Sequence, residues 1–183
     1  MADRNTLTDR DRAFIDTQHM FFVATAPRTD DGLVNVSPKG LAGTLKVLDD
    51  KTVAYLDLTG SGIETISHVR ENGRVCLMFC AFDGPPNILR IHGKGEVVEP
   101  NDDQFAGLAS NFPELPGVRS VIVIHIGRVA SSCGFGVPEY QYVGQRTRLT
   151  EYAEKKGPEG IREYQLEKNL RSLDGLPGLK YAT

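Results

Sequence analysis

Between Met20 and Ser132 the sequence passes through six or seven stretches rich in β-branched and aromatic residues, each closed by a turn signal. Too little helical periodicity lies between them to build the crossovers that parallel neighbours need. The pattern therefore specifies antiparallel strands curled into a barrel. Residues 20–26 (Met-Phe-Phe-Val-Ala-Thr-Ala) end at Pro27 and the Asp30-Asp31-Gly32 turn, and Leu33-Val34-Asn35-Val36-Ser37 returns as the second arm of a hairpin. Val47-Leu48 and residues 52–57 flank a turn at Asp49-Asp50, and residues 74–82 and 88–99 flank another at Asp83-Gly84-Pro85-Pro86. Residues 118–132 form the longest and most apolar strand. Gly93 and Gly95 interrupt the 88–99 strand, as a bulge does, or a ligand or second chain lying close.

Short helices flank these strands. Thr8 with Asp11 three residues on has the form of a capping box for a helix over 8–17. A second helix follows the Thr59-Gly60-Ser61-Gly62 loop, with Ile63, Ile66 and Val69 as its apolar stripe and Asn72-Gly73 as its stop. A third spans about 102–109. Two more close the chain, the last running from Pro158 to about Leu173 with Leu166, Leu170 and Leu173 on one side. No repeat or composition break divides the 183 residues. They read as one domain, 1–183, with a core over 20–145 and a helical extension over 146–183.

Charge excludes some partners. Lys and Arg number 21 against 24 Asp and Glu, a net −3 with the signs interspersed, so no basic face for nucleic acid or a membrane surface is expected. The polar start, Met1-Ala2-Asp3-Arg4, has no apolar segment of a signal peptide, and Val121-Ile122-Val123-Ile124 is far short of the ~20 residues that span a bilayer. Cys76 and Cys80, four apart on one strand face, cannot pair. All three cysteines read as reduced, Cys76 and Cys80 as core, and the compartment as cytoplasmic. Cys133, beside glycines, is open to a redox role or to packing as a small apolar residue.

The sequence holds no metalloprotease, CxxC, nucleophile-elbow or Walker A pattern. His19, His68, His92 and His125 are scattered, so no metal site is expected. Two segments carry more. Ser61 is placed to cap the helix that follows it, whose first-turn N–H groups and dipole make an anion site, with Gly60 and Gly62 allowing close approach. In Ser37-Pro38-Lys39-Gly40, Lys39 can donate to a phosphate, and Pro38 withholds an N–H at a strand end. On local sequence alone the plainer reading is favoured, Ser61 as a simple cap and Lys39 as a solvated lysine.

Five segments in order resemble the pyridoxamine 5′-phosphate oxidase-like flavin-binding split barrels. They are Asn35-Val36-Ser37-Pro38-Lys39-Gly40, Val47-Leu48-Asp49-Asp50-Lys51-Thr52, Thr59-Gly60-Ser61-Gly62, Asn72-Gly73-Arg74-Val75-Cys76-Leu77-Met78-Phe79 and Ile91-His92-Gly93-Lys94-Gly95-Glu96-Val97. The resemblance spans about residues 20–145. Residues 133–142 and the final helices resemble a bacterial subgroup of flavin-nucleotide-binding proteins. It implies a mainly β (α+β) fold, an antiparallel six-stranded split barrel with flanking and C-terminal helices, in a homodimer with two FMN at the subunit interface. Val36, Ser37, Pro38 and Lys39 would lie along the flavin ring, and Thr59, Ser61, Gly62 and Thr65 would hold the phosphate. Gly134, Phe135 and Gly136 would reach the partner's flavin.

The departures bear on the substrate. Pyridoxamine phosphate oxidases carry an Arg-Lys pair where this chain has Ser61-Gly62, and an Arg-Leu-x-Pro tail where it ends Gly178-Leu179-Lys180-Tyr181-Ala182-Thr183. The resemblance thus implies fold and flavin rather than pyridoxamine phosphate chemistry. The expected function is flavin-mediated hydride or electron transfer on a small molecule, with NADH or NADPH as possible donor. The alternatives are a non-catalytic carrier of flavin, haem or deazaflavin, and a cofactor-free interaction module. Tyr140 and Tyr142, two apart, line a substrate entrance or pack an interface. Arg90 and His92 share a face that meets the flavin or a second subunit.

Overall fold

The computed structural model describes residues 4–180. The first three residues and residues 181–183, used above for the polar start and the divergent tail, lie outside the described residues. The elements are α1 (Asp9–Asp16), β1 (Phe21–Thr25), β2 (Asn35–Lys39), β3 (Leu45–Val47), β4 (Thr52–Leu58), α2 (Glu64–Asn72), β5 (Arg74–Cys80), β6 (Ile88–Val98), α3 (Phe105–Ala109), β7 (Val118–Ser132) and α4 (Arg148–Lys168). The strands form one antiparallel sheet in the order β2-β1-β5-β6-β7-β4-β3. The split-barrel expectation holds with seven strands rather than six, the extra one being the three-residue β3.

Two apolar clusters lie on opposite faces of β4 and β7. Val53, Tyr55, Ile122 and Ile124 enter the main core, and Ala54, Leu56, Val121 and Val123 pack with Val98 and Phe112 on the other side. Burial on both faces explains why β7 reads as an unbroken apolar run. Across His92 and Gly93 the β6–β7 register shifts. A Cβ at Gly93 would sit 2.4 Å from the His125 carbonyl oxygen, so the glycine is required by a bulge against the neighbouring strand.

Several boundaries moved for local reasons. The second strand runs Asn35–Lys39 rather than 33–37, continuing through Pro38 because β2 is an edge strand that can lack an N–H. The Thr8–Asp11 capping box is formed, and Gly73 ends α2 in the left-handed conformation at φ 70°. Ser61 does not cap α2: the helix begins two residues later, Ile63 takes the cap position, and no side chain caps the end. The final helical segment kinks at Gly157–Pro158, as expected, but ends at Lys168. Its inner face is Ala153, Ile161 and Gln165. Leu166 and Leu173 are exposed, so with Leu170 they do not form a common apolar side.

All three thiols are free. Cys80 is buried, but Cys76 is half-buried on the face opposite Val75, Leu77 and Phe79, and Cys133 is exposed rather than packed. Among the described residues no helix is long and apolar enough to cross a membrane, and no cluster of side chains could hold a metal.

Candidate functional site

The site lies in the split of the sheet. Lys39, at the end of edge strand β2, reaches Asp57 on β4 with Nζ–Oδ1 at 3.1 Å. Asp57 is fully buried, and its other oxygen accepts from Arg119 Nε on β7 at 2.6 Å. Burial pushes the Asp57 carboxyl up, but Arg119 and then Lys39 outweigh it and hold the group below its ordinary value. Asp57 is thus an anion clamped between two cations. Beside it Tyr55, fully buried with Lys39 Nζ 5.8 Å above its ring, stays a neutral phenol because burial, then the Asp57 charge, raise it.

Between this pair and the start of α2 is a cavity of ~260 Å³, lined among others by Ser37, Pro38, Lys39, Thr59, Gly62 and Thr65. The uncapped first turn of α2 supplies N–H donors and a positive dipole end there. A Cβ at Gly60 would meet nothing within 4 Å, so the loop backbone is open to approach. Glu64 lines the same cavity, and its Oε1 accepts from the Leu173 N–H at 3.2 Å.

The loop is held from behind by the C-terminal helix. Gln165 Nε2 donates to Thr59 Oγ1 at 2.7 Å, and Asn169 Nδ2 donates to the Gly60 carbonyl at 2.9 Å. Arg119 Nη1 joins them, donating to Asn169 Oδ1 at 3.1 Å and to the Gly60 carbonyl at 3.3 Å. A second network sets the polarity of the wall. Ser37 Oγ donates to Asn35 Oδ1 at 3.0 Å, and the Asn35 amide donates to Thr65 Oγ1 at 3.0 Å and Thr25 Oγ1 at 3.2 Å. Thr25 Oγ1 in turn lies 3.0 Å from Nδ1 of buried His68, whose Nε2 is 3.6 Å from Asp174. Since Asn35 spends both its N–H groups on threonines, Thr65 keeps its own proton to donate, while Ser37 has committed its proton and offers lone pairs.

Ser37, Pro38, Lys39, Thr59, Gly62 and Thr65 therefore meet in one cavity. Ser61 sits exposed beside it, and Val36, 60% exposed, alternates to the opposite face of β2 from Ser37 and Lys39. Gly134, Phe135 and Gly136 do not line it; Phe135 is 82% exposed, and Gly134 packs against the Asn87 backbone. Arg90 turns to Ser132 Oγ at 3.1 Å and His92 toward Cys76, neither at the cavity. Sequence reading missed Asn35, Asp57, Arg119, Gln165 and Asn169. Only Asp57 and Arg119 carried a signal, as charges set in otherwise apolar strands.

A second cavity of ~660 Å³ adjoins the first through Pro38, Lys39, Gly40, Leu41 and Leu149. Tyr140 and Tyr142 both line it.

Comparison with known proteins agrees with this architecture. Residues 7–133 match the family model described as pyridoxamine 5′-phosphate oxidase. The pyridoxamine 5′-phosphate oxidase family protein ustO of Aspergillus flavus is 44% identical over 193 residues, covering 97% of this chain and 77% of that protein. Among solved structures, HupZ of Group A Streptococcus superposes with a TM-score of 0.55 at 21% identity, over 74% of this chain and 99% of that one. A Clostridium acetobutylicum protein related to general stress protein 26 of B. subtilis (pyridoxinephosphate oxidase family) gives 0.52 at 13% identity, over 68% and 86%. These two speak for the fold. With sequence match, strand order and split in agreement, the chain belongs to the pyridoxamine 5′-phosphate oxidase family.

Proposed function

We propose that the protein is an FMN-dependent oxidoreductase that works as a homodimer, with the cofactor phosphate at the start of α2. The observation that carries this reading is the uncapped helix end opening, with Lys39 and the Thr65 hydroxyl, into one cavity. The residues present fit the group. Backbone N–H groups and Thr59, Thr65 and Lys39 would hold a phosphate, and Gly60 leaves the loop free for close approach. The side chains alone make this site electrically neutral, Lys39 and Arg119 against Asp57 and Glu64. Phosphate recognition therefore rests mainly on the helix dipole and hydrogen bonds.

The cavity is smaller than the roughly 300–1,000 Å³ usual for a whole cofactor. It suits the phosphate and ribityl end, leaving the ring along edge strand β2, to be covered by a second subunit. The exposed Val36 at 60% and Phe135 at 82% support such cover. When bound, FMN supplies hydride or electron transfer. Ser37 would accept a hydrogen bond from the ring, Thr65 would donate one to the phosphate, and Lys39 would balance negative charge.

One observation favours a non-catalytic carrier as the second reading: both cavity carboxylates, Asp57 and Glu64, are already hydrogen-bonded within the chain. Purified protein should be yellow and dimeric by sedimentation. It should bind FMN at least about tenfold more tightly than riboflavin, a difference of about 1.4 kcal/mol for the phosphate. Equal affinity for the two would refute the phosphate assignment. Anaerobic bleaching by NADPH or NADH separates the oxidoreductase from the carrier.

A further inference from the structure

Resting on the reading of the α2 cavity as the cofactor's, we propose that the adjoining ~660 Å³ cavity receives the substrate, and that this substrate is a planar aromatic carboxylate. Its wall comes from three separated parts of the chain: the α1–β1 corner at His19 and Met20, the β5–β6 turn at Phe82 and Asp83, and the segment from Tyr140 to Leu149 that leads into α4. Up to the start of α4 at Arg148 that segment has no regular structure, but it is pinned at two points. The Tyr140 N–H donates to the Phe82 carbonyl at 2.7 Å while its ring sits 5.5 Å from the Phe82 ring. Tyr142 stacks on His19 with centroids 3.6 Å apart and planes at 13°.

Two fixed aromatic pairs in the lining offer flat faces to a flat ligand. The charges there are unequal. Arg146 and Arg148 line the cavity and form no ion pair with a described residue, Lys39 stands at the junction, and Asp83 is the sole carboxylate of the lining. A guanidinium holds a carboxylate through two parallel N–H donors, which fixes orientation as well as charge. A ring clasped between the aromatic pairs with its carboxylate on the arginines would abut Pro38 and Lys39, the strand end next to the proposed cofactor. The volume lies within the range usual for small-molecule sites.

The test is equilibrium dialysis of FMN-loaded protein against 2-naphthoate and against the uncharged 2-naphthalenemethanol, with the flavin spectrum recorded alongside. The expected result is saturable naphthoate binding, about tenfold tighter than the alcohol at low salt, shifting the visible band without releasing flavin. The exposed double variant Arg146→Ala/Arg148→Ala should erase the preference for the acid, and Tyr142→Ala should weaken both ligands. Equal affinity for acid and alcohol, binding untouched by these variants, or release of flavin by naphthoate would each overturn the proposal. Protein that takes up no FMN refutes the cofactor reading alone. The flavin-free chain still builds this wall, so the same ligand and variant comparison then decides whether the cavity prefers the acid.

Discussion

Asp57→Asn should act with opposite signs on stability and on anion binding. The carboxylate is fully buried and accepts from Lys39 at 3.1 Å and Arg119 at 2.6 Å. Without its charge, Arg119, 5% exposed at the side chain, keeps only neutral acceptors at Gly60 and Asn169. Breaking a buried pair by removing one partner costs about 3–5 kcal/mol. Lys39, 24% exposed, can turn toward water, which places this case near ~3 kcal/mol. For a chain of this length that is a fall of about 6–12 °C in Tm. The same change takes the cavity from electrical neutrality to a net charge of +1, Lys39 and Arg119 against Glu64 alone. One unit charge about 7 Å away at an effective dielectric of ~20 is worth roughly 2 kcal/mol before salt screening, so FMN should bind about tenfold more tightly. Riboflavin, without the phosphate, should not gain. Circular-dichroism melts with and without FMN, paired with titrations of both ligands, read all of these quantities. A Tm loss below about 2 °C, or riboflavin gaining as much as FMN, would refute the clamped-anion account.

The remaining expectations are smaller in scope. Because Asp57 titrates below its ordinary value in the folded chain, its contribution is present above pH ~4 and lost as pH falls through the lowered value. Urea midpoints measured across pH 2–5 should therefore drop more steeply in the parent chain than in Asp57→Asn. Gly93→Ala forces a Cβ to 2.4 Å from the His125 carbonyl and should cost about 1–3 kcal/mol by urea denaturation. Gly136→Ala, with nothing within 4 Å, should change the midpoint little. Asn169→Ala leaves the Gly60 carbonyl only its longer bond from Arg119 at 3.3 Å and takes one acceptor from Arg119. It should lower stability by about 1–3 kcal/mol and weaken FMN more than riboflavin.

Local chemistry made much of the fold legible. The 118–132 strand is written as one continuous apolar run, and the Thr8–Asp11 box and the Gly73 stop depend on contacts a few residues apart; each formed as the residues specify. The α2 cavity was legible where its residues fall in short motifs, at Ser37–Lys39 and Thr59–Thr65. Its supports were not. Asp57 meets Arg119 from 62 positions away, and Asn169 reaches Gly60 from 109. Such pairings depend on how the sheet curls, which no local periodicity encodes. Ser61 failed as a cap for a related reason: the C-terminal helix holds the loop from behind, and α2 starts later with its end left open.

The placement of Gln165 and Asn169 has a consequence for how the molecule comes into being. The loop they secure is made on the ribosome well before its braces. During synthesis, residues 59–65 leave the exit tunnel about a hundred residues ahead of the groups that fix them. The nascent barrel can thus pair its strands before the 59–65 loop is held rigid. The cavity beside α2 is completed late, only in chains translated through α4 and Asn169.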